Sequence, residues 1–158
     1  MAASSHPFVF DFPSAGGLYL LLFGLTEPSK LDIGRLGSFH FRPGSYAYIG
    51  SARGPGGLAA RLARHLRPAQ HKRPHWHIDH LLNKASIQGV GWSFEGELCE
   101  CGWAAALSAL GVRRPRRFGS SDCRCAGHLI EFQPQTTIQR VLRTIPAELH
   151  FRLVGTAI

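Results

Sequence analysis

Residues 17–25 read GLYLLLFGL, and this stretch decides the fold. The run is apolar almost throughout, it begins next to Gly16, and Pro28 follows shortly after its end. It is too short for a helix of typical length, whereas a short apolar run between such breakers is typical of a fully buried strand. We therefore predict a buried β-strand over residues 17–25.

Two further strands are predicted from alternating side chains. Phe39 and Phe41 alternate with polar residues, which is the pattern of a strand with one buried face. A Pro-Gly-Ser turn follows, and the next residues predict a third strand that places Tyr46 and Tyr48 on one face. We expect these three strands to form an antiparallel sheet.

Helices are predicted to flank this sheet. After a glycine-rich loop, Leu58, Leu62 and Leu66 recur every four residues and form one apolar helical stripe that Pro68 ends. The remaining predicted elements are helices over about 75–85, 100–110 and 137–144, and a short strand within 127–132. The predicted fold class is α/β of the α+β kind, with a small antiparallel central sheet of about three strands.

The length of the chain predicts one domain. Its 158 residues lie close to the usual size of a single domain. We divide the chain into an N-terminal leader at 1–16, the domain proper at 17–132, and a C-terminal extension at 133–158 that packs on the domain.

The charge of the chain indicates a polyanionic partner. Lys and Arg number 18 against 10 for Asp and Glu, which gives a formal net charge of +8. A field of this sign favours nucleic acid or an anionic membrane. The longest apolar runs are far shorter than the ~20 residues of a bilayer span, and no basic segment is an amphipathic helix with a large apolar face. We expect a nucleic acid as the partner and no membrane; in the absence of a secretory signal pattern, we also expect a cytoplasmic location.

Five side chains are candidates for one chemical site. They are Tyr19, Tyr48, Arg61, His65 and Glu100. The tyrosines lie on strands expected to be neighbours, and the Arg/His pair lies one turn apart on the first helix. Glu100 shares a helical face with Trp103, so its carboxylate is expected to turn inward, with Glu95 and Glu97 as the alternatives. Taken one by one, these residues also fit half-buried strand tyrosines and a solvated helix face.

The order of these residues resembles the GIY-YIG nuclease superfamily. Gly17-Leu18-Tyr19 stands where the superfamily has Gly-Ile-Tyr, Tyr48-Ile49-Gly50 is intact, and Arg61, His65 and a helical Glu100 follow. Further stretches are similar to an uncharacterised branch of the superfamily that some chains carry fused to an endonuclease III-like glycosylase. These stretches read YAYIGSARGPGGLAARLARH, HWHIDHLL, ECGWAAAL and FGSSDCRCAGHL.

The resemblance covers about residues 17–132 and implies a metal-dependent endonuclease that hydrolyses DNA phosphodiester bonds in DNA repair or on structured DNA. Glu100 would hold Mg²⁺ or Mn²⁺, and Arg61 would offset charge on the phosphate. Tyr19 would be the general base, Tyr48 would bind a phosphate oxygen or share that role, and His65 would relay a proton or orient Tyr19. Because a phenol has a pKa near 10, nearby positive charge is expected to lower it. The superfamily often places an asparagine late in the domain, and this sequence has no clear counterpart.

Cysteines and histidines offer further metal ligands. The candidate zinc set is Cys101, Cys123, Cys125 and His128. Its C-x-C spacing departs from the usual C-x₂₋₄-C of zinc sites, so small buried thiols are the alternative. The histidine-rich segment at 71–80 predicts either a second metal or phosphate site, in which Asp79 shares a helical face with His75, or a polar helix face.

The remaining positive side chains are predicted to grip the phosphate backbone. This set is Arg53, Arg64, Arg67, His75, His77, Arg113, Arg114, Arg116 and Arg117. The alternative to a nuclease is a catalytically silent nucleic-acid-binding module of the same fold, stabilised by zinc or not. A homodimer and a complex with a repair protein are both compatible with a domain of this size.

Overall fold

A computed structural model describes residues 11–68, 73–94, 99–113, 115–120 and 125–154 of the chain. These residues form eight strands and four α-helices. The strands are β1 (Gly17–Leu25), β2 (Ser29–Asp32), β3 (Ser38–Phe41), β4 (Gly44–Ala52), β5 (Ser86–Ser93), β6 (Gly111–Arg113), β7 (Leu129–Phe132) and β8 (His150–Leu153). The helices are α1 (Gly57–Leu66), α2 (His77–Leu82), α3 (Glu100–Leu107) and α4 (Ile138–Thr144).

Six of the strands form one antiparallel sheet in the order β6-β7-β4-β1-β5-β8. The strand β1 lies inside this sheet between β4 and β5, as its apolar sequence requires. The α+β class is confirmed, but the sheet is twice as wide as the three strands expected. The predicted strand at Phe39 and Phe41 forms, yet β3 pairs with β2 in a separate two-stranded ribbon. The short turn at Gly34–Leu36 brings these two strands together locally.

The sheet separates two hydrophobic cores because side chains alternate along β1. Tyr19, Leu21 and Phe23 pack in one core with side chains of α1 and α2. The even-numbered side chains from Leu18 to Leu22 pack in the other core with side chains of α3 and α4. Both faces of β1 are therefore covered, which explains why this strand carries so few polar residues.

Three strands of the main sheet, β5, β6 and β8, were not predicted. The sequence of β5 is SIQGVGWS, whose glycines read as turn residues rather than as strand residues. In the sheet, Gly89 faces Phe151 of β8, and a Cβ at Gly89 would collide with that ring. The glycine that obscures the strand in the sequence thus allows the last strand to pack.

The helices follow the predicted spans with shorter ends. The helix α1 buries Leu58 and Leu62 as predicted, whereas the helix expected over 75–85 begins only at His77. The helix expected over 100–110 ends at Leu107 and continues as a 3₁₀ turn. Within the described ranges, no helix is long and apolar enough to cross a bilayer.

The end of the predicted leader packs on the domain. Phe12 is buried and contacts Trp92 edge to face, with 5.4 Å between ring centroids. The carbonyl groups of Pro13 and Ala15 accept hydrogen bonds of 2.8 and 2.9 Å from N–H groups in the first turn of α1. These N–H groups have no partner within their own helix, so residues 12–15 fix the start of α1. The C-terminal extension in turn contributes α4 and the edge strand β8.

Candidate active site

A cavity of about 570 Å³ lies beside the sheet and is lined by residues that are distant in the sequence. Four of the five predicted site residues, Tyr19, Tyr48, Arg61 and Glu100, line it. The fifth, His65, is 2% exposed and lies behind Tyr19. Although α3 packs on the opposite face of the sheet, its first residues reach this cavity.

Tyr19 occupies its position because its neighbour on β4 is a glycine. In the antiparallel register Tyr19 lies opposite Gly50. A Cβ at Gly50 would collide with the hydroxyl and ring atoms of Tyr19. The glycine of the Tyr-Ile-Gly segment therefore leaves the space in which the Tyr19 phenol lies across β4.

Tyr19, Tyr48 and His65 form a compact cluster of three rings. The hydroxyl oxygen of Tyr19 lies 2.7 Å from Nε2 of His65, a buried hydrogen bond. When Nε2 carries no proton, the Tyr19 hydroxyl donates this bond. Ring centroids are 5.3 Å apart for Tyr19 and His65, 6.2 Å for Tyr48 and His65, and 6.5 Å for the two tyrosines. Both phenols are thus held by ring packing, and Tyr19 is held by a hydrogen bond as well.

The expected lowering of the Tyr19 pKa does not occur in the protein alone. Burial raises the pKa of Tyr19 well above its usual value of 10, and Tyr48 adds to this rise, while Arg61 only partly opposes it. Burial likewise raises the pKa of Tyr48, with a further rise from the Glu100 carboxylate. Both phenols are therefore protonated at neutral pH, and Tyr19 carries its proton next to an imidazole nitrogen.

Arg61 and Arg64 both contact Trp76, which was not among the predicted site residues. Their guanidinium carbons lie 4.4 and 4.6 Å from the centroid of the Trp76 ring, within cation–π distance. Arginines three apart share a helix face, so both guanidinium groups can stack on one ring. The stacking fixes Arg61 at the wall of the cavity.

Arg64 is engaged inside the protein rather than being simply a solvated cation. Its Nη2 lies 2.8 Å from Oδ2 of the fully buried Asp79, and its side chain is 25% exposed. The same carboxylate oxygen accepts hydrogen bonds from the backbone N–H groups of His75 and Trp76 at 2.8 and 3.0 Å. Burial raises the pKa of Asp79, but these N–H groups and Arg64 outweigh it and lower the pKa overall.

The histidine-rich segment contributes two side chains to the cavity, His75 and His77. Nδ1 of His77 accepts a hydrogen bond of 3.0 Å from the N–H group of Gly119. Burial, and then the neighbouring His80, lower the pKa of His77, which favours the neutral ring that such an acceptor needs. The Asp79 carboxylate caps the N-terminus of α2. Among the described residues of this segment there is no cluster of metal ligands.

Three of the four predicted zinc ligands lie close together, and two of them, Cys101 and His128, line the cavity. The ligand atoms of Cys101, Cys125 and His128 lie within 4.8 Å of one another, an arrangement that can hold a metal ion. Cys123, the fourth, lies outside the described residues, as do Glu95 and Glu97. Glu100 contacts the same group, with Oε2 3.8 Å from Nδ1 of His128.

The predicted phosphate-binding side chains are spread over several surfaces. Arg53 lines the cavity, and Arg117 lines a neighbouring depression that shares His75 and His77 with it. Arg67 and Arg116 are exposed, and Arg113 donates a hydrogen bond of 2.8 Å to Ser108. Arg114 lies outside the described residues.

The fold and the cavity define an α+β domain with a buried tyrosine–histidine pair and a wall of mixed arginine, glutamate and thiol groups. Residues 18–150 match the family model described as Domain of unknown function DUF123, and the chain belongs to that family. No curated protein and no solved structure matches the chain.

Proposed function

We propose that the chain is a metal-dependent endonuclease of the GIY-YIG type, which hydrolyses DNA phosphodiester bonds in DNA repair or on structured DNA. The observation that carries the proposal is the 2.7 Å contact between the Tyr19 hydroxyl and Nε2 of His65. This contact lies at a cavity that is also lined by Arg61 and Glu100. A proton acceptor, a cation and a carboxylate at one cavity are the groups that phosphodiester hydrolysis needs.

Tyr19 would act as a proton relay rather than as a preformed phenolate. Because burial keeps Tyr19 protonated, its oxygen would take a proton from the attacking water while its own proton passes to Nε2 of His65. The water oxygen would bond to phosphorus as the P–O ester bond breaks, and the leaving oxygen would take a proton from solvent. This concerted route needs no isolated phenolate, whose formation burial disfavours.

Arg61 would bind the phosphate being cleaved. It lines the cavity and is fixed by stacking on Trp76, so its guanidinium can stabilise developing negative charge without reorganising. Tyr48, on the same face of the sheet, would donate a hydrogen bond to a phosphate oxygen because its raised pKa keeps its proton in place.

Glu100 would be the protein ligand of a magnesium or manganese ion. Among the described residues that line the cavity it is the one carboxylate, and Mg²⁺ is commonly held by one or two carboxylates together with substrate phosphate and water. Glu100 would hold this ion, which would provide Lewis-acid stabilisation of charge on the phosphate when bound. The oxygen of Glu100 that faces His128 keeps the side chain close to the cavity wall.

The second candidate function is a nucleic-acid-binding module without catalysis. The observation that favours it is the burial of the tyrosines, since Tyr19 is 2% and Tyr48 8% exposed. In such a module Arg53, with exposed arginines such as Arg116, would bind the phosphate backbone and the rings would only pack the core.

The two functions are separated by incubating the full chain with supercoiled, flap and forked DNA in Mg²⁺ or Mn²⁺. For a nuclease we expect strand cleavage that Glu100→Gln reduces about 100-fold or more, while the exposed-site control Glu148→Gln leaves it unchanged. Cleavage at equal rates by wild type and Glu100→Gln would reject the proposed role of Glu100. Salt-dependent binding without cleavage of any substrate would favour the binding module.

A further inference from the structure

A thiol–imidazole cluster lies beside the cavity, which two of its members, Cys101 and His128, line, and no step of the proposed reaction uses it. It consists of Cys101 on α3, and of Cys125 and His128 in the segment that leads into β7. His128 is 2% exposed, and the two cysteines are partly buried. We propose that these three side chains bind one zinc ion, with a water molecule in the fourth tetrahedral position.

The spacing of the ligand atoms fits a tetrahedral zinc ion. Sγ of Cys101 lies 3.6 Å from Nε2 of His128. With Zn–S near 2.3 Å and Zn–N near 2.0–2.1 Å, the S···N edge of a zinc tetrahedron is about 3.6 Å. The atoms of all three residues lie within 4.8 Å of one another, so an S···S edge of about 3.8 Å needs a contraction of at most about 1 Å.

The kind of ligand selects zinc over magnesium. Two sulfur atoms and one imidazole are soft and borderline donors, which suit zinc, whereas Mg²⁺ requires oxygen ligands. Glu100 faces Nδ1, the ring nitrogen that does not face Cys101. A carboxylate beside the second ring nitrogen is the usual arrangement around a zinc-bound histidine.

The zinc ion would join the first turn of α3 to the segment that leads into β7. The backbone of His128 is already fixed, since its N–H group donates to Phe118 at 2.7 Å and its carbonyl accepts from Ile49 of β4 at 3.0 Å. Coordination would tie the first turn of α3 to this segment. Glu100, next to Cys101 and facing His128, would then be held at the cavity. The zinc site does not rest on the proposed nuclease activity, because it needs only these three ligands.

The test is the metal content of the full chain, purified without chelators from zinc-supplemented cells. We expect about one zinc per chain in the wild type, and a loss of at least about tenfold in Cys101→Ser and in His128→Ala. Cys99→Ser is the matched control. Cys99 lies two residues from Cys101, but it is exposed and its Sγ accepts a hydrogen bond from the N–H group of Gly102. A serine keeps that helix-capping bond, so we expect Cys99→Ser to retain its zinc.

A cobalt titration of the metal-stripped wild type keeps the proposal testable if a variant fails to fold. Tetrahedral Co²⁺ bound by two thiolates should give strong thiolate-to-cobalt absorption that equimolar zinc abolishes. Wild-type protein that holds no zinc and gives no such absorption would overturn the proposal, as would full zinc occupancy in both Cys101→Ser and His128→Ala. Because neither readout uses DNA, a failure of the zinc site and a failure of the nuclease function are distinguishable.

Discussion

The phenol of Tyr19 lies across Gly50, its partner on the neighbouring strand, at a distance that leaves no room for a Cβ. This relationship links the two short segments that carry the site tyrosines, Gly17-Leu18-Tyr19 and Tyr48-Ile49-Gly50. The absence of a side chain at Gly50 leaves room for the ring of Tyr19, and the Tyr19 hydroxyl in turn hydrogen-bonds His65. One missing side chain on β4 thus sets the geometry of the candidate site.

Gly50→Ala should therefore destabilise the protein and displace Tyr19. Because the added methyl group meets the buried ring, we expect the free energy of unfolding to fall by about 2 kcal/mol, measured by chemical denaturation. Gly54→Ala is the control, since open space surrounds that position. In a Tyr19→Ala background, Gly50→Ala should cost much less, because the ring it strikes is gone. Equal costs in the two backgrounds would contradict this explanation of Gly50.

Asp79→Asn should destabilise the fold by about 2 kcal/mol, since it weakens both the start of α2 and the contact with Arg64. The Asp79 pKa is lowered in the folded state, so its contribution is present above the unfolded pKa of about 4. That contribution is lost as the pH falls through the lower, folded pKa. The stability gap between wild type and Asp79→Asn, measured by urea unfolding, should accordingly narrow in acid. Glu148→Gln, at an exposed site, should show no comparable gap at any pH.

The three tyrosines of the chain should resist ionisation in the folded protein. Burial raises the pKa of Tyr19, Tyr46 and Tyr48, for Tyr46 to about 12. A raised pKa stabilises the fold below pH 10 and loses that contribution as the pH rises through the folded-state value. Phenolate absorbance should thus be absent at pH 10 and should appear together with unfolding, followed by circular dichroism. A phenol that titrates reversibly below pH 10 in folded protein would contradict the relay and favour a phenolate base.

Much of the site could be predicted because it depends on local spacing. The four-residue interval between Arg61 and His65 places both on one helix face, and the strand patterns make Tyr19 and Tyr48 neighbours. Trp76 and the contact between Arg64 and Asp79 could not be predicted, because they depend on how α1 meets the segment before α2. The strand β5 was not predicted because the reason for its Gly89 is contact with the ring of Phe151, which lies about sixty residues later in the sequence. The raised pKa of Tyr19 depends on a degree of burial that charge counting does not give.

DNA binding should depend on salt through the arginines near the cavity. Each phosphate contact contributes about 0.9 to the slope of log K against log salt, so Arg53→Gln should lower the slope by about one unit. Arg140→Gln is the control, because Arg140 is exposed on α4, which packs against the other face of the sheet. Fluorescence anisotropy with a labelled forked DNA measures both slopes. Equal slopes for Arg53→Gln and wild type would remove Arg53 from the DNA-binding surface.

The proposed role of Tyr19 as a proton relay is tested by comparing Tyr19→Phe with Tyr46→Phe in single-turnover cleavage of a DNA substrate in Mg²⁺. Both changes remove one hydroxyl group from a buried strand tyrosine, but the Tyr46 hydroxyl donates to the backbone carbonyl of Arg42, whereas the Tyr19 hydroxyl bonds the imidazole of His65. We expect cleavage by the wild type, a cleavage rate lowered about 100-fold to 10,000-fold in Tyr19→Phe, and a near wild-type rate in Tyr46→Phe. Equal cleavage by Tyr19→Phe and wild type would contradict this role.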